Sequence, residues 1–328
     1  MLRSLAIQKK DTSYSWATEF GDIFADRKIL VTGATGFVGS HLCDALVALG
    51  AEVHGLSLDI PARSHEASWK PWIMDLTDLG STQVLISQIK PQTVFHMAGL
   101  VDTRQEMALL VPTLQSNLVG TLHLLMAVAA TQCERVLVTG SSEEPEVGSI
   151  DGIPTSPYAA SKGAAVAYSR MFHFLYQLPV VIARPFMCYG PRKPLSKLIP
   201  YTIVSLLSGE RQQLSSGRRV CDLVYVLDLV RGLLKASAQI ELTGKAIDLG
   251  TGDGIAIRDV VALIAELTGS TSRPIFGALP DRLGEGPQVA DLRATQQFLD
   301  WQPLWSLREG LIETIDWYRT RGSVRKTV

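Results

Sequence analysis

A tyrosine and a lysine four residues apart are the side chains best suited to chemistry in this sequence. Tyr158-Ala-Ala-Ser-Lys162 follows Pro157 at the start of a predicted helix, and residues four apart lie on the same helix face. A lysine ammonium beside a phenol favours the phenolate, whose pKa is about 10 when unperturbed. The pair therefore suits general acid–base catalysis at a hydroxyl group, although a surface helix with an i,i+4 contact would show the same spacing.

A glycine-rich turn lies near the beginning of the chain. Lys28-Ile-Leu-Val-Thr32 reads as a short buried strand, Gly33-Ala-Thr-Gly36-Phe-Val-Gly39 follows it, and apolar residues then recur at helical spacing up to Gly50. Small residues let the backbone approach a pyrophosphate, and the start of the helix offers free N–H groups and a partial positive charge. The turn therefore predicts dinucleotide binding; a tight turn with a purely structural role is the alternative.

Strands and helices alternate along the first part of the chain. Further strands are predicted over Glu52–Leu58, Thr93–His96, Arg135–Thr139 and Val180–Ala183, and helices over Val111–Ala130 and Tyr158–Tyr176. Such alternation indicates a parallel sheet covered on both faces. We predict an α/β fold: a Rossmann-type doubly wound parallel sheet with a smaller C-terminal α/β lobe that binds the substrate.

Three segments are expected from changes in sequence texture. Residues 1–26 form an N-terminal extension whose aromatic side chains are able to pack against the rest of the protein. Residues 27–190 form the NAD(P)-binding domain. Residues 191–328, where Gly, Pro and Arg become frequent, form mainly the substrate-binding lobe, although segments such as 246–268 are expected to return to the main domain.

Composition excludes several classes of protein. The 328 residues are 46% hydrophobic, enough for a large core, and 31 basic side chains nearly balance 32 acidic ones, which gives no support for nucleic-acid binding. The four cysteines form no CxxC pair, so free thiols in a reducing compartment are expected. Metal-ligand spacing, a signal peptide and a membrane span are not recognised. We expect a cytoplasmic protein without metal or membrane partner.

The glycine turn also carries a family resemblance. Thr32-Gly-Ala-Thr-Gly-Phe-Val-Gly39 closely resembles the extended short-chain dehydrogenase/reductase family, which includes NAD-dependent epimerases and dehydratases of nucleotide sugars, and similar segments continue over roughly residues 27–320. Asp75-Leu76 resembles the family's adenine-contacting pair, and His96-Met-Ala-Gly99 its loop along the cofactor. The cofactor contacts that the resemblance implies are Gly33, Thr35, Gly36, Phe37, Val38, Gly39, Ser57, Asp75, Leu76, Met97, Ala98, Gly99, Asn117, Tyr158, Lys162 and Pro185.

The choice between NAD and NADP depends on the end of the second predicted strand. A carboxylate there hydrogen-bonds the ribose hydroxyls of NAD, but the position falls on Ser57. Asp59 is a possible substitute, whereas Arg63 would suit a 2′-phosphate. Both cofactors therefore stay open, with Ser57 tilting slightly toward tolerance of NADP.

The resemblance assigns further catalytic roles. Tyr158 acts as acid or base on a sugar hydroxyl, and Lys162 also binds the cofactor ribose. A Ser or Thr after the strand that ends at Thr139 binds the reacting oxygen; this role falls on Ser141, with Ser142 as second choice. Glu143 stands where sugar 4,6-dehydratases carry an acid or base for removing water, although a solvated loop carboxylate is the alternative.

The C-terminal part departs from the family at two positions. Arg184-Pro-Phe-Met-Cys-Tyr-Gly-Pro191 resembles RxxNVYGP with Met187 at the substrate-contacting Asn, and Cys221 replaces the Arg of RDFVYV. Arg219 or Arg282 is expected to compensate. With Lys197 these arginines suit a diphosphate, since a guanidinium offers a bidentate fork; singly, each is equally typical of a solvated surface.

These features predict an enzyme that oxidises a sugar carbon transiently, most plausibly C4 of a nucleotide-diphosphate sugar. We favour a 4-epimerase. An NADPH-dependent 4-keto-sugar reductase, supported by Ser57, and an NDP-sugar 4,6-dehydratase, supported by Glu143, are the alternatives. A non-catalytic dinucleotide-sensing protein is disfavoured because the tyrosine and the lysine are both present. The resemblance also implies a homodimer formed through two helices of each subunit, for which Val111–Ala130 and Tyr158–Tyr176 are the candidates.

Overall fold

The computed structural model describes residues 14–59, 68–145 and 152–325, with side chains described to residue 320. Arg63 and residues 1–13 of the predicted extension lie outside this part of the chain. The strands are β1 Lys28–Thr32, β2 Glu52–Ser57, β3 Lys70–Ile73, β4 Thr93–His96, β5 Arg135–Thr139, β6 Val180–Pro185, β7 Met187–Tyr189, β8 Val220–Tyr225, β9 Ala246–Leu249 and β10 Gly254–Ala256. The α-helices are α1 Trp16–Phe20, α2 Phe37–Ala48, α3 Leu79–Ile89, α4 Leu110–Thr113, α5 Gly120–Ala129, α6 Pro157–Tyr176, α7 Leu198–Leu207, α8 Val226–Ala238, α9 Ile257–Thr268, α10 Arg293–Phe298 and α11 Leu307–Arg325.

A seven-stranded parallel sheet forms the centre of the molecule. Its strand order is β3-β2-β1-β4-β5-β6-β9. The order reverses direction between β1 and β4, where a doubly wound sheet opens a crevice at the carboxyl ends of its strands. The predicted fold class is confirmed.

Both faces of this sheet are buried, as expected when helices cover a parallel sheet on two sides. Side chains alternate along each strand: Ile29 and Val31 of β1 belong to one hydrophobic core, and Leu30 belongs to the other. Helices α2 and α8 pack on the first face, whereas α3, α5 and α6 contribute to the second. The two cores fix the positions of the strand ends that carry the site.

A smaller three-stranded sheet, ordered β10-β8-β7, forms the second layer of structure. Helices α7, α9 and α11 pack against one another beside it. The chain then returns to the main sheet, because β9 pairs with β6 in parallel, and α8 packs against β5 and β6. Of the predicted segment 246–268, residues 246–249 therefore join the large sheet, whereas β10 pairs with β8 and α9 packs on α7 and α11. The exact domain boundaries stay a prediction.

The predicted helix over Val111–Ala130 is longer and less regular than expected. It begins with a 3₁₀ turn at Met107–Leu109, continues through α4, widens into a π-helical segment at Leu114–Val119 and ends with α5. By length and composition, Met107–Ala129 would be able to cross a membrane. This is weak evidence, because a core helix of a soluble protein meets the same criterion, and here α5 packs against α3 and α6.

The described part of the N-terminal extension packs against the C-terminal part of the chain. Phe20 and Phe24 are buried in the first core. The guanidinium of Arg231 on α8 donates through two nitrogens to the carboxylate of Glu19, at 2.8 and 2.9 Å. The ring of Tyr14 lies 5.8 Å from that of Trp305, centroid to centroid. Residues 14–26 are thus an ordered element of the fold.

Candidate active site

A cavity of about 1020 Å³ opens at the carboxyl ends of β1, β4, β5 and β6. The glycine turn and residues Met97–Gly99 line one side, and α7 together with residues 213–220, 279–282 and 285–288 lines the other. Predicted site residues that line the cavity are Gly33, Gly36, Phe37, Val38, Gly39, Met97, Ala98, Gly99, Ser141, Ser142, Glu143, Tyr158, Lys162, Pro185, Met187, Lys197, Arg219 and Arg282. The sheet therefore brings together residues from distant parts of the sequence.

The glycine turn fits a dinucleotide because it has no room for side chains. Gly33 has φ +69°, and a Cβ built there would lie 2.9 Å from the backbone of Ala98. A Cβ at Gly39 would lie 2.1 Å from the carbonyl oxygen of Gly33, so the start of α2 packs directly on the turn. No side chain caps α2 at Gly36, which leaves its first N–H groups available for phosphate oxygens.

Five other predicted cofactor contacts lie outside the cavity wall: Thr35, Ser57, Asp75, Leu76 and Asn117. Leu76 is buried in the second core, and Asp75 accepts a hydrogen bond from the N–H of Thr77 at 2.9 Å. Ser57 is also buried, and its hydroxyl accepts from the N–H of Thr35 at 3.0 Å. Ser57 stands at the end of β2, where a carboxylate would bind the ribose of NAD. Through this hydrogen bond its side chain holds the glycine turn in place.

Asn117 has a positioning function in the structure. Its side-chain oxygen accepts from the N–H of Leu100 at 2.7 Å, and its nitrogen donates to the Leu100 carbonyl at 3.1 Å and to the Ser161 hydroxyl at 2.9 Å. The residue is buried and connects the loop after β4 to α6. It holds the Met97–Gly99 segment that lines the cavity.

Tyr158, Lys162 and Ser141 meet at the floor of the cavity. Ser156 caps the N-terminus of α6, accepting from Ala159 N–H at 3.1 Å, and Pro157 occupies the first turn. Tyr158 and Lys162 are buried in the first two turns of that helix. The Lys162 ammonium donates to the Thr139 carbonyl oxygen at the end of β5, and the Ser141 side chain acts on the Tyr158 phenol in the direction that lowers its pKa.

Burial dominates the electrostatics of this pair. Burial raises the pKa of Tyr158 to about 12, partly opposed by the hydrogen bond with Ser141. Burial lowers the pKa of Lys162 to about 8, and the charge of Glu144 acts in the opposite direction. The lysine is therefore close to its titration range at neutral pH. A protein environment of this kind tunes groups for proton transfer.

Glu143 and Arg219 form an ion pair inside the cavity. One guanidinium nitrogen of Arg219 lies 3.0 Å from the Glu143 carboxylate, and the other lies 2.8 Å from Glu285. The first nitrogen also donates to Gln288 at 2.7 Å. Arg282 contacts the Thr103 hydroxyl at 2.7 Å and Glu285 at 3.2 Å. Two arginines expected to meet substrate are thus already engaged by carboxylates.

Two residues outside the predicted set of site residues have equally specific contacts. Glu144 is buried behind Ser141, with a carboxylate oxygen that accepts the Ser141 N–H at 3.2 Å. Lys193 lines the cavity, donates to the Cys188 carbonyl oxygen and lies 5.1 Å from the centroid of the Phe37 ring. The consecutive pair Glu143-Glu144 was a sequence signal for Glu144, since the side chains of adjacent residues on a turn usually point in different directions.

Comparison with known proteins agrees with this geometry. The model of the family described as "NAD dependent epimerase/dehydratase family" matches residues 29–250, more than half of the chain. A UDP-glucose 4-epimerase of Mycolicibacterium smegmatis is 29% identical over 320 residues, covering 90% of this chain and 99% of the relative. A dTDP-glucose 4,6-dehydratase of an Actinoplanes strain is 28% identical, covering 90% and 99%.

Solved structures give the same result. The UDP-glucose 4-epimerase of Thermotoga maritima, crystallised with UDP-glucose, superimposes with a TM-score of 0.82 at 25% identity, covering 89% of this chain and 99% of the other. The Thermus thermophilus UDP-glucose 4-epimerase in complex with NAD has a TM-score of 0.79 at 27% identity, covering 89% and 98%. The resemblance seen in the sequence is confirmed: this chain is an enzyme of the NAD-dependent epimerase/dehydratase family.

Proposed function

We propose that this protein is a nucleotide-sugar 4-epimerase that retains NAD throughout its cycle. One observation carries the proposal: Ser141, Tyr158 and Lys162 lie in the same cavity as a glycine turn without room for side chains. The similarity to UDP-glucose 4-epimerases over nearly the whole chain supports this choice. A 4-epimerase needs an acid–base group, a dinucleotide site and space for a sugar to turn, and the cavity of about 1020 Å³ offers all three.

Bound NAD supplies a hydride acceptor and, once reduced, a hydride donor at one carbon of the sugar. The protein's own residues handle the proton. Ser141 orients the reacting oxygen toward Tyr158, since both side chains line the same cavity. Tyr158 removes the proton of the sugar hydroxyl and later returns it, and the ammonium of Lys162 favours the phenolate during that exchange. The buried position of all three excludes bulk water from the reacting oxygen.

The diphosphate of the substrate binds at the start of α7. No side chain caps this helix, whose first N–H groups and partial positive charge favour an anion. Lys197 stands at its N-cap and donates to the Val101 carbonyl oxygen at 2.7 Å, and Lys193 also bonds to a carbonyl oxygen. Both lysines line the cavity with hydrogen-bonding capacity left over. Arg219 and Arg282, held by Glu143 and Glu285, act mainly as walls of the nucleotide site.

A 4,6-dehydratase is the second candidate, because Glu143 lies in the cavity and a dehydratase is among the relatives. The ion pair at 3.0 Å between Glu143 and Arg219 favours the epimerase. Removal of water from the sugar requires a carboxyl group free to exchange protons with substrate, whereas Glu143 is engaged by a cation.

Homodimerisation is part of this proposal. Exposed apolar side chains cluster on the 107–126 stretch and near the end of α6, and such a patch on a folded surface is typical of a protein–protein contact. They include Met107, Val111, Leu114, Met126, Tyr168, Phe174, Leu175 and Tyr176. We also place the enzyme in the cytoplasm, since all four cysteines are buried free thiols, as in a reducing compartment.

The test is to incubate the protein with UDP-glucose, UDP-glucuronate and dTDP-glucose and to identify the products by NMR. A C4 epimer formed without added cofactor, with NAD released from denatured protein, is the expected result. The Tyr158→Phe variant should keep its fold and NAD content while kcat falls by about 10²–10⁴-fold. A 4-keto-6-deoxy product would instead establish the dehydratase, and full activity of the variant would exclude Tyr158 as the acid–base group.

A further inference from the structure

Glu144 is a buried carboxyl group that the reaction described above does not use. Its side chain is 3% exposed. One oxygen accepts the N–H of Ser141 at 3.2 Å, and the other has no hydrogen-bond partner among the described residues. A Cβ built at Gly140 would lie 2.9 and 3.1 Å from the two oxygens, so a glycine is needed to admit this carboxyl group beneath the end of β5.

The same few atoms of β5 also anchor the catalytic lysine. Lys162 donates to the carbonyl oxygen of Thr139, the residue directly before Gly140. From the other side, a Cβ at Gly163 would lie 4.0 Å from the Cβ of Glu144. Glu144 is therefore enclosed between the end of β5 and the first turns of α6.

Charged groups reach Glu144 from each neighbouring element. Arg184 on β6 has its Nε 3.9 Å away but is engaged by Asp248 on β9 at 2.6 Å. From α6, the positive charges of Lys162 and Arg170 act on Glu144. Its unpaired oxygen thus faces cations without a direct hydrogen bond to any of them, and a buried carboxylate in this position acts through its charge.

We propose that Glu144 is a positioning residue with two effects: its carboxyl group holds the Ser141 main chain, and its negative charge keeps Lys162 in the ammonium form. The enzyme thereby carries a second, internal proton site behind the catalytic pair. This proposal concerns the ionisation of Lys162 and does not depend on which sugar the enzyme binds or which product it forms.

The ionisation of Glu144 falls in the neutral range. Burial raises its pKa to about 7. Above that pH the group is a carboxylate, which raises the pKa of Lys162 and also that of Tyr158. Below it the group is neutral and both effects disappear. Removing the charge must therefore lower the pKa of Lys162 and of Tyr158, and an alkaline limit of activity set by loss of the Lys162 ammonium must move to lower pH.

The direct test measures the ammonium of Lys162 without substrate. Wild type and Glu144→Gln are acetylated briefly with acetic anhydride between about pH 6 and pH 10, the range in which a lysine with a lowered pKa exchanges its proton, and peptides are quantified by mass spectrometry. The Lys162 midpoint, near 8 in wild type, should move down in the variant. Lys193 is the internal control: it lines the same cavity, and the causes of its lowered pKa are burial and Lys197, opposed by Cys188.

A second pair of variants separates charge from shape. Glu144→Asp keeps the charge and should restore the Lys162 midpoint toward that of wild type. Glu144→Gln keeps an acceptor for the Ser141 N–H. At a pH low enough that wild-type Glu144 is neutral, the kcat of this variant should therefore match that of wild type. Glu144→Ala, by contrast, should lose kcat at every pH. If Glu144→Gln does not fold, a ¹³C NMR titration of the wild-type Glu144 carboxyl group replaces it, and a transition near pH 7 is expected.

Three results would overturn the proposal: an unchanged Lys162 midpoint in folded Glu144→Gln, an equal shift of Lys193, or a wild-type carboxyl group without a transition near pH 7. Because acetylation and NMR need no substrate, they stand even if the product assay excludes the epimerase. An epimerase assay that succeeds while the Lys162 midpoint stays fixed would leave the proposed function intact and remove the role of Glu144.

Discussion

The two sides of the cavity are built in different ways. On the cofactor side, backbone atoms make the contacts: the Gly33 carbonyl oxygen would lie 2.1 Å from any Cβ at Gly39. On the substrate side, side chains make them, through the ion pairs of Arg219 and the hydrogen bonds of Gln105. A binding site made of backbone atoms has one conformation, whereas a network of long side chains is able to adopt many. Such a difference suits an enzyme that uses one cofactor with a substrate that must enter and leave.

The two sides of the cavity also differ in how far their residues are exposed to solvent. Residues of the glycine turn lie between a buried strand and a buried helix. Residues 279–288 are largely exposed, Leu283 is 84% exposed, and Gly286 has no atom within 4 Å of a built Cβ. Local stability is lowest where few apolar contacts are made. We therefore expect substitutions on the cofactor side to affect folding and those on the substrate side to affect exchange of ligand.

The largest effect is expected from Gly39→Ala. Its Cβ would overlap the Gly33 carbonyl oxygen, so the turn must move, which costs about 2–3 kcal/mol of unfolding free energy and weakens NAD binding. Urea denaturation and NAD titration measure both quantities. Gly286→Ala on the substrate side is the matched control, with a change within about 0.5 kcal/mol. Equal stability of the two variants would contradict the contrast between the two sides.

Arg219→Ala should lower the unfolding free energy by less than Gly39→Ala does, and Arg282→Ala should lower it by less again. The Arg219 side chain is 16% exposed and contacts two carboxylates, whereas that of Arg282 is 41% exposed. Leaving Glu143 without its cation, while Arg282 still contacts Glu285, should cost about 1–2 kcal/mol, against less than about 1 kcal/mol for the exposed pair. Urea unfolding of both variants measures these two losses. A larger loss of unfolding free energy in Arg282→Ala than in Arg219→Ala would contradict the expected order.

Gln105→Ala should change stability least and ligand exchange most clearly. Its side chain donates to the Leu283 carbonyl oxygen at 2.7 Å and accepts from the Leu283 N–H at 3.2 Å, so it fastens residues 279–288 to the segment that precedes α4. Without it we expect an unfolding free energy within about 0.5 kcal/mol of wild type and faster release of UDP in a stopped-flow experiment. Gln239→Ala, whose amide bonds to Phe298 elsewhere, is the control; identical release rates in both would show that Gln105 does not hold the segment.

The local features of this site were predictable from the sequence. The glycine turn, the strand before it and the Tyr158–Lys162 spacing each depend on residues within a few positions of one another. Pairing of Arg219 with Glu143 joins residues 76 positions apart, and no local pattern encodes it. The same holds for the hydrogen bonds by which Asn117 holds the loop after β4 through Leu100. Glu144 was hidden for another reason: two adjacent glutamates look alike until the fold buries one of them.

The contact of Glu19 with Arg231 has a consequence for the growing chain on the ribosome. These residues are 212 positions apart, so at about 5–20 residues per second the first helix waits roughly 10–40 s for its partner to be synthesised. The edge strand β9 emerges later still. Throughout that interval the carboxylate of Glu19 lacks its guanidinium partner, and the first helix has only the early elements of the first core, such as α2, to pack against.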